Sequence, residues 1–118
     1  MLLVKFQQIT GMPLVEFHRL LDSDNALRVR FEVGHGQVLK FIVQLECRFD
    51  GDEDWTPVVG YDTAHGFAHC DRLHPYKEPE KIPMATSDDN EALNFAMSDL
   101  ANNWVEYRMR YEKWLKQK

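Results

Sequence analysis

Cysteine is scarce in this chain of 118 residues. Its two thiols, Cys47 and Cys70, form no Cys-x-x-Cys pair and no zinc-ribbon spacing, and each falls in a stretch that reads as strand. A thiolate metal knot is thereby excluded, and buried free thiols in a reducing compartment are the expectation. Long apolar runs are also missing. The opening MLLVKFQQITGMP has too short an apolar run for a signal peptide, and nothing later approaches the roughly 18 apolar residues that suggest a membrane span. A soluble, cytoplasmic protein with no membrane partner is expected. An excess of positive charge is the third absence: 14 Lys+Arg stand against 19 Asp+Glu, for a formal charge of -5 and a pI near 5.5. RNA or DNA would therefore need a local basic patch, because the overall field disfavours it. The acidic run Asp50-Gly51-Asp52-Glu53-Asp54 lacks the twelve-residue loop ending in glutamate that calcium requires, and reads as a solvated turn. Repeats and low-complexity tracts are absent.

What is present is hydrophobic alternation. With 44% hydrophobic residues, one domain over residues 1–118 can enclose a core without staples. Residues 15–21 alternate loosely and run into the turn formers Asp22-Ser23-Asp24-Asn25. Leu27, Val29, Phe31 and Val33 then alternate with Arg28, Arg30 and Glu32, as in a half-buried antiparallel strand. Beyond the turn at Gly34-His35-Gly36-Gln37, Leu39, Phe41, Val43, Leu45, Cys47 and Phe49 alternate in the same way. Residues 55–63 and 68–73 predict two further strands, so that all strands fall within 15–73. Pro75, Pro79 and Pro83 mark 74–86 as an extended connection.

The period then lengthens. Ser87 is the expected N-cap, Asp88, Asp89 and Glu91 supply first-turn negative charge, and Leu93, Ala96, Met97, Leu100, Trp104, Tyr111 and Leu115 recur at helical spacing over 88–115. The expected architecture is α+β: a meander of about five antiparallel strands with one long C-terminal helix on one face. At ~1.5 Å per residue the helix is on the order of 40 Å long, against about 23 Å for a seven-residue strand. It should overhang, bend or cross the sheet diagonally. Trp104, Tyr107, Tyr111 and Trp114 lie in the overhanging half, where they suit either a homodimer or protein partner or intramolecular packing.

Chemistry concentrates in residues 61–74, YDTAHGFAHCDRLH, which hold three of the five histidines. If His65-Gly66 forms the tip of a turn, Asp62 faces His69 across the ladder, and Asp71 shares that face. A carboxylate opposite an imidazole is the arrangement a general acid/base or a phosphate-binding histidine needs. The candidate catalytic residues are thus His65, His69 and Asp62, with Asp71, Arg72, Arg28 and Arg30 as candidate ligand-binding residues. The same residues also make a purely structural hairpin, with Asp62 capping the turn and His69 completing a pair. No metal is assigned, because His65 and His69 lie roughly 13 Å apart in extended chain at ~3.3 Å per residue, and no cofactor is implied. Cys70 falls beside Tyr61 on the opposite, inward face, which argues against a nucleophilic thiol. His18 and His35 receive no role.

Tyr61-Asp62-Thr63-Ala64-His65-Gly66, followed by His69, Asp71 and a helix rich in Asn-Glu-Ala-Leu, resembles a family of small uncharacterised prokaryotic domains of unknown function. The resemblance spans residues 38–111 and implies a fold without implying an activity. The aromatic-Asp-x-Ala-x-His pattern also looks like that of TumE-type toxins, with Asp62, Ala64, His65 and His69 as the matching positions. Two function classes follow. One is a small binding or interaction domain, one component of an operon-encoded pair, using the aromatic helix end or an open sheet edge. The other is a toxin-like nuclease or related phosphodiester enzyme using Asp62, His65 and His69, with Arg28, Arg30 or Arg72 on the phosphate.

Overall fold

The structure, a computed structural model, describes the backbone of residues 2–9 and 12–117, and the side chains from Pro13 onward except that of His65. Seven strands form one sheet in chain order: β1 (Leu2–Ile9), β2 (Met12–Asp22), β3 (Asn25–Gly34), β4 (Gln37–Cys47), β5 (Thr56–Asp62), β6 (His69–Arg72) and β7 (Glu80–Pro83). Every neighbouring pair is antiparallel. Helix α1 (Asp89–Leu115) lies across one face and packs chiefly on β4, and also on β5.

Alternation explains the middle of this sheet. Leu27, Val29 and Phe31 of β3 stand opposite Leu45, Val43 and Phe41 of β4, so one face of both strands is apolar and joins the core. The β3–β4 turn holds His35 and Gly36 at φ 53° and 75°, the left-handed pair that a two-residue hairpin requires. From the helix, Ala92, Ala96 and Leu100 are fully enclosed. The two alanines let the helix backbone approach the sheet, and burying a leucine such as Leu100 is worth about 1.5–3 kcal/mol.

The sheet exceeds the expected five strands at both ends. β1 lies ahead of the first expected strand, and β2 begins at Met12 rather than near residue 15. β7 falls inside the stretch expected to be a plain connection, and it closes with Pro83, a residue that an edge strand tolerates because the missing N–H need not enter a ladder. The helix cap also differs. Asp88 is the N-cap, its carboxylate accepting from the Glu91 N–H at 2.8 Å, while the Ser87 N–H and hydroxyl donate to the Glu91 carboxylate. The arrangement resembles a capping box, except that the Glu91 carboxylate reaches back to Ser87 and not to the N–H of the cap residue itself.

The aromatic end of α1 is engaged by its own chain. Tyr111 is 7% exposed and stacks on Phe49 at 5.5 Å, while Trp114 lies 4.6 Å from the His74 ring. The Tyr76 hydroxyl donates to the Leu115 carbonyl at 2.8 Å. Arg108 donates to Asn25 Oδ1 at 2.7 Å and to the Arg48 carbonyl at 3.0 Å, tying the helix to the β2–β3 turn and the end of β4. Trp104 and Tyr107 are half-buried against the core.

Candidate functional site

The face of the sheet turned away from α1 is polar because it carries the other half of each alternation. Arg28 pairs with Gln44, Arg30 with Ile42, and Glu32 with Lys40; Ile42 pairs in turn with Asp62, and Gln44 with Gly60. Asp62 stands opposite His69 and Gly60 opposite Asp71. The expected register is thus present, although the chain turns through a 3-10 segment at Ala64–Gly66 instead of a two-residue hairpin.

Asp62, His69 and Asp71 converge. His69 Nε2 lies 3.2 Å from Asp62 Oδ1 and 3.5 Å from Asp71 Oδ2, and the histidine is 2% exposed. Its Nδ1 is 3.3 Å from the Phe67 carbonyl. A carbonyl only accepts, so Nδ1 carries the proton of that bond and Nε2 is the atom turned to the carboxylates. Asp62 Oδ1 also accepts from the Ala64 N–H at 2.9 Å, and Asp71 Oδ1 receives Lys81 Nζ at 3.3 Å. Among the described residues, these three form the group of histidine and carboxylate side chains whose donor atoms all fall within 4.8 Å of one another.

The remaining candidates separate. Arg28 is bound to Glu46, its Nε reaching both carboxylate oxygens at 3.1 and 3.2 Å. Glu46 also takes Gln44 Nε2 at 2.8 Å and lies 3.5 Å from His18 Nε2. His18, expected to have no part, is thus one of three groups around a buried glutamate. Arg30 lines a groove of about 340 Å³ with Glu32, Lys40, Ile42, Asp62 and Thr63. Arg72 lies on the other face, since successive strand residues point to opposite sides, and cannot act with Asp62 and His69. The side chain of His65 lies outside the described residues.

Arg72 instead lines a cavity of about 440 Å³ between α1 and the β5–β7 end of the sheet. Val59, Ile82, Met84 and Phe95 supply apolar wall, and Tyr61, Cys70, Arg72, Thr86, Tyr107 and Glu91 supply polar groups, the Glu91 carboxylate being bound by the Ser87 N–H and hydroxyl. The Tyr61 and Tyr107 hydroxyls donate to the same oxygen of Asp99, at 2.6 and 2.7 Å, and Asn103 Nδ2 donates to its other oxygen at 2.9 Å. Burial, with the hydrogen bond to Asp99 next, pushes the Tyr107 phenol up to about 12 and that of Tyr61 higher still. Burial likewise raises the Cys70 thiol, which keeps it protonated and unreactive near neutrality. Arg110 lies over the rings of Tyr107 and Trp114, 5.2 Å from each, and burial together with the neighbouring Arg72 charge lowers its pKa.

Sequence reasoning missed this second site. The available signal was Asp99, a carboxylate three residues after Ala96 and eight before Tyr107, on the inward side of an otherwise apolar stripe.

No helix among the described residues is long and apolar enough to cross a membrane. Comparison with curated proteins and with solved structures gives no match. A family profile described as a domain of unknown function, DUF7718, matches residues 12–117, nearly the whole chain. The protein therefore belongs to the DUF7718 family.

Proposed function

We propose that this domain binds a small molecule, and that the ligand is an apolar anion held in the cavity between α1 and β5–β7. One observation carries the reading. In a chain where carboxylates outnumber cations, Arg72 lines this cavity and its charge acts on Arg110, yet neither forms an ion pair among the described residues, although Glu80 stands opposite Arg72 on the ladder. Arg110 Nε is buried without a hydrogen-bond partner there. Two guanidinium groups held together repel each other, and a carboxylate, sulfonate or phosphate would relieve that repulsion while its apolar part met Val59, Ile82 and Met84. Asp99 does not compete, because two phenols and an amide already occupy its oxygens.

The phosphodiester-enzyme alternative has less support. It needs His69 open to substrate beside an arginine; Arg30 lines the groove beside Asp62, but His69 is enclosed between two aspartates and Arg28 is committed to Glu46. The test is titration with decanoate and with decanol, which share a chain and differ in charge, followed by Trp fluorescence and calorimetry. Decanoate should saturate the protein and bind about 10- to 100-fold more tightly than decanol, the range that a charge-assisted hydrogen bond supplies. Arg72→Gln should abolish that preference. Failure of both compounds to saturate, or equal affinity for them, would overturn the proposal.

A further inference from the structure

On the opposite face, we propose that Asp62, His69 and Asp71 form a binding site for a divalent first-row transition ion, with one imidazole nitrogen and two carboxylate oxygens as ligands.

The first argument is spacing. In a tetrahedral site with bonds of about 2.0–2.1 Å, donor atoms lie about 3.3–3.4 Å from one another. His69 Nε2 stands 3.2 and 3.5 Å from its two carboxylate oxygens, so an ion fits among them with small movements. All three donor atoms lie within 4.8 Å of one another.

The second argument is orientation. A metal-binding histidine characteristically donates its other ring N–H to a carbonyl or carboxylate, which fixes the tautomer and orients the ring. His69 has that arrangement through Nδ1 and the Phe67 carbonyl. The carboxylates are held as well: Asp62 by the Ala64 N–H and Asp71 by Lys81. Since Asp62 and His69 are directly paired on adjacent strands and Asp71 lies two residues along β6, the ladder itself sets the geometry before any ion arrives.

The third argument is access. Asp62 forms part of the wall of the groove lined by Arg30 and Ile42, which gives an ion a route in and leaves room for water as a further ligand. The imidazole favours zinc, cobalt or nickel over calcium and magnesium, which take oxygen shells. His65, which extended chain would hold far from His69, is not one of these ligands.

The experiment uses the full chain, stripped with chelator, and titrates zinc, cobalt and magnesium separately by calorimetry, with cobalt also followed by its visible absorption. One zinc or cobalt ion per chain should bind at micromolar concentration or below, with magnesium at least about 100-fold weaker. Asp71→Asn, at a half-buried position near the sheet edge, and Asp62→Asn should each weaken zinc binding about 10-fold or more and change the cobalt spectrum. Unfolding curves without metal establish that these variants are folded. Binding unchanged in both would assign the ion to other histidines such as His35 or His74 and overturn the proposal, as would the absence of one-to-one binding by either metal. None of these outcomes depends on the cavity beneath α1, so this inference and the anion reading stand or fall separately.

Discussion

The two faces of the sheet are made by the same strands and solve opposite problems. Under α1, alternate residues from β3, β4 and β5 lose contact with water and the ionic groups are few. On the other face, ionic groups are many and answer one another: Glu32 with Lys40, Glu46 with Arg28, Asp71 with Lys81. Arg72 and Arg110, which form no ion pair among the described residues, stand at the margin of the apolar face, and Arg30, likewise without one, lines the groove on the polar face. A count of charges would point to the polar face as the place for a ligand. Two neighbouring arginines point instead to the cavity beneath the helix for an anion, while the converging carboxylates of the polar face favour a cation.

Substitutions can break this contrast. The largest effect belongs to the apolar side: Leu100→Ala should cost about 3 kcal/mol or more, since Leu100 is fully enclosed and the helix cannot collapse into the void. Urea denaturation would measure it.

Alkaline pH acts on the same side. Tyr107 in the folded chain ionises near 12 rather than the ordinary 10, so folding favours the neutral phenol. That contribution is complete below pH 10 and disappears as pH rises from 10 through 12. Discounted for partial exposure, the loss is on the order of 1–2 kcal/mol. Urea midpoints between pH 9 and 12 should fall, and Tyr107→Phe should flatten the decline. A wild-type curve without slope would mean that Asp99 and the phenols are not enclosed together.

Smaller effects sharpen the contrast. Asp88→Ala, which removes the helix cap, should cost about 1 kcal/mol. On the polar face Lys40→Ala, with its exposed pair to Glu32, should change stability by no more than about 0.5 kcal/mol in the same assay. A Lys40→Ala cost rivalling that of Leu100→Ala would show that the polar face holds the fold together as firmly as the apolar one.

Much of this arrangement was legible in the residues. The alternation from Leu27 to Phe49 set two strands and both of their faces, and a glycine beside His65 was enough to put Asp62 opposite His69 and Cys70 opposite Tyr61. Two kinds of information were not local. β7 is held by pairing with β6 and has little apolar periodicity of its own, and its proline reads as a breaker until the strand is known to lie at an edge. Arg72 illustrates the second kind. Its neighbours in sequence are Asp71 and Leu73, whereas its neighbours in space come from α1, almost forty residues on. Grouping it with Asp71 followed sequence proximity, while the strand's twofold alternation placed it on the far side. The engagement of Trp114 and of the helix end was hidden for a related reason, because His74 and Tyr76, which receive them, lie in a connecting segment that shows no pattern.

The strand order has a kinetic consequence. Each strand pairs with the one made just before it, so the sheet can grow by successive hairpins, each closing a short loop at small entropic cost. The long-range step is the docking of α1 on β4 and β5. Until residues 89–115 have emerged, a growing chain holds an apolar face with nothing to cover it, so the dangerous interval for aggregation is the one just before the helix is complete.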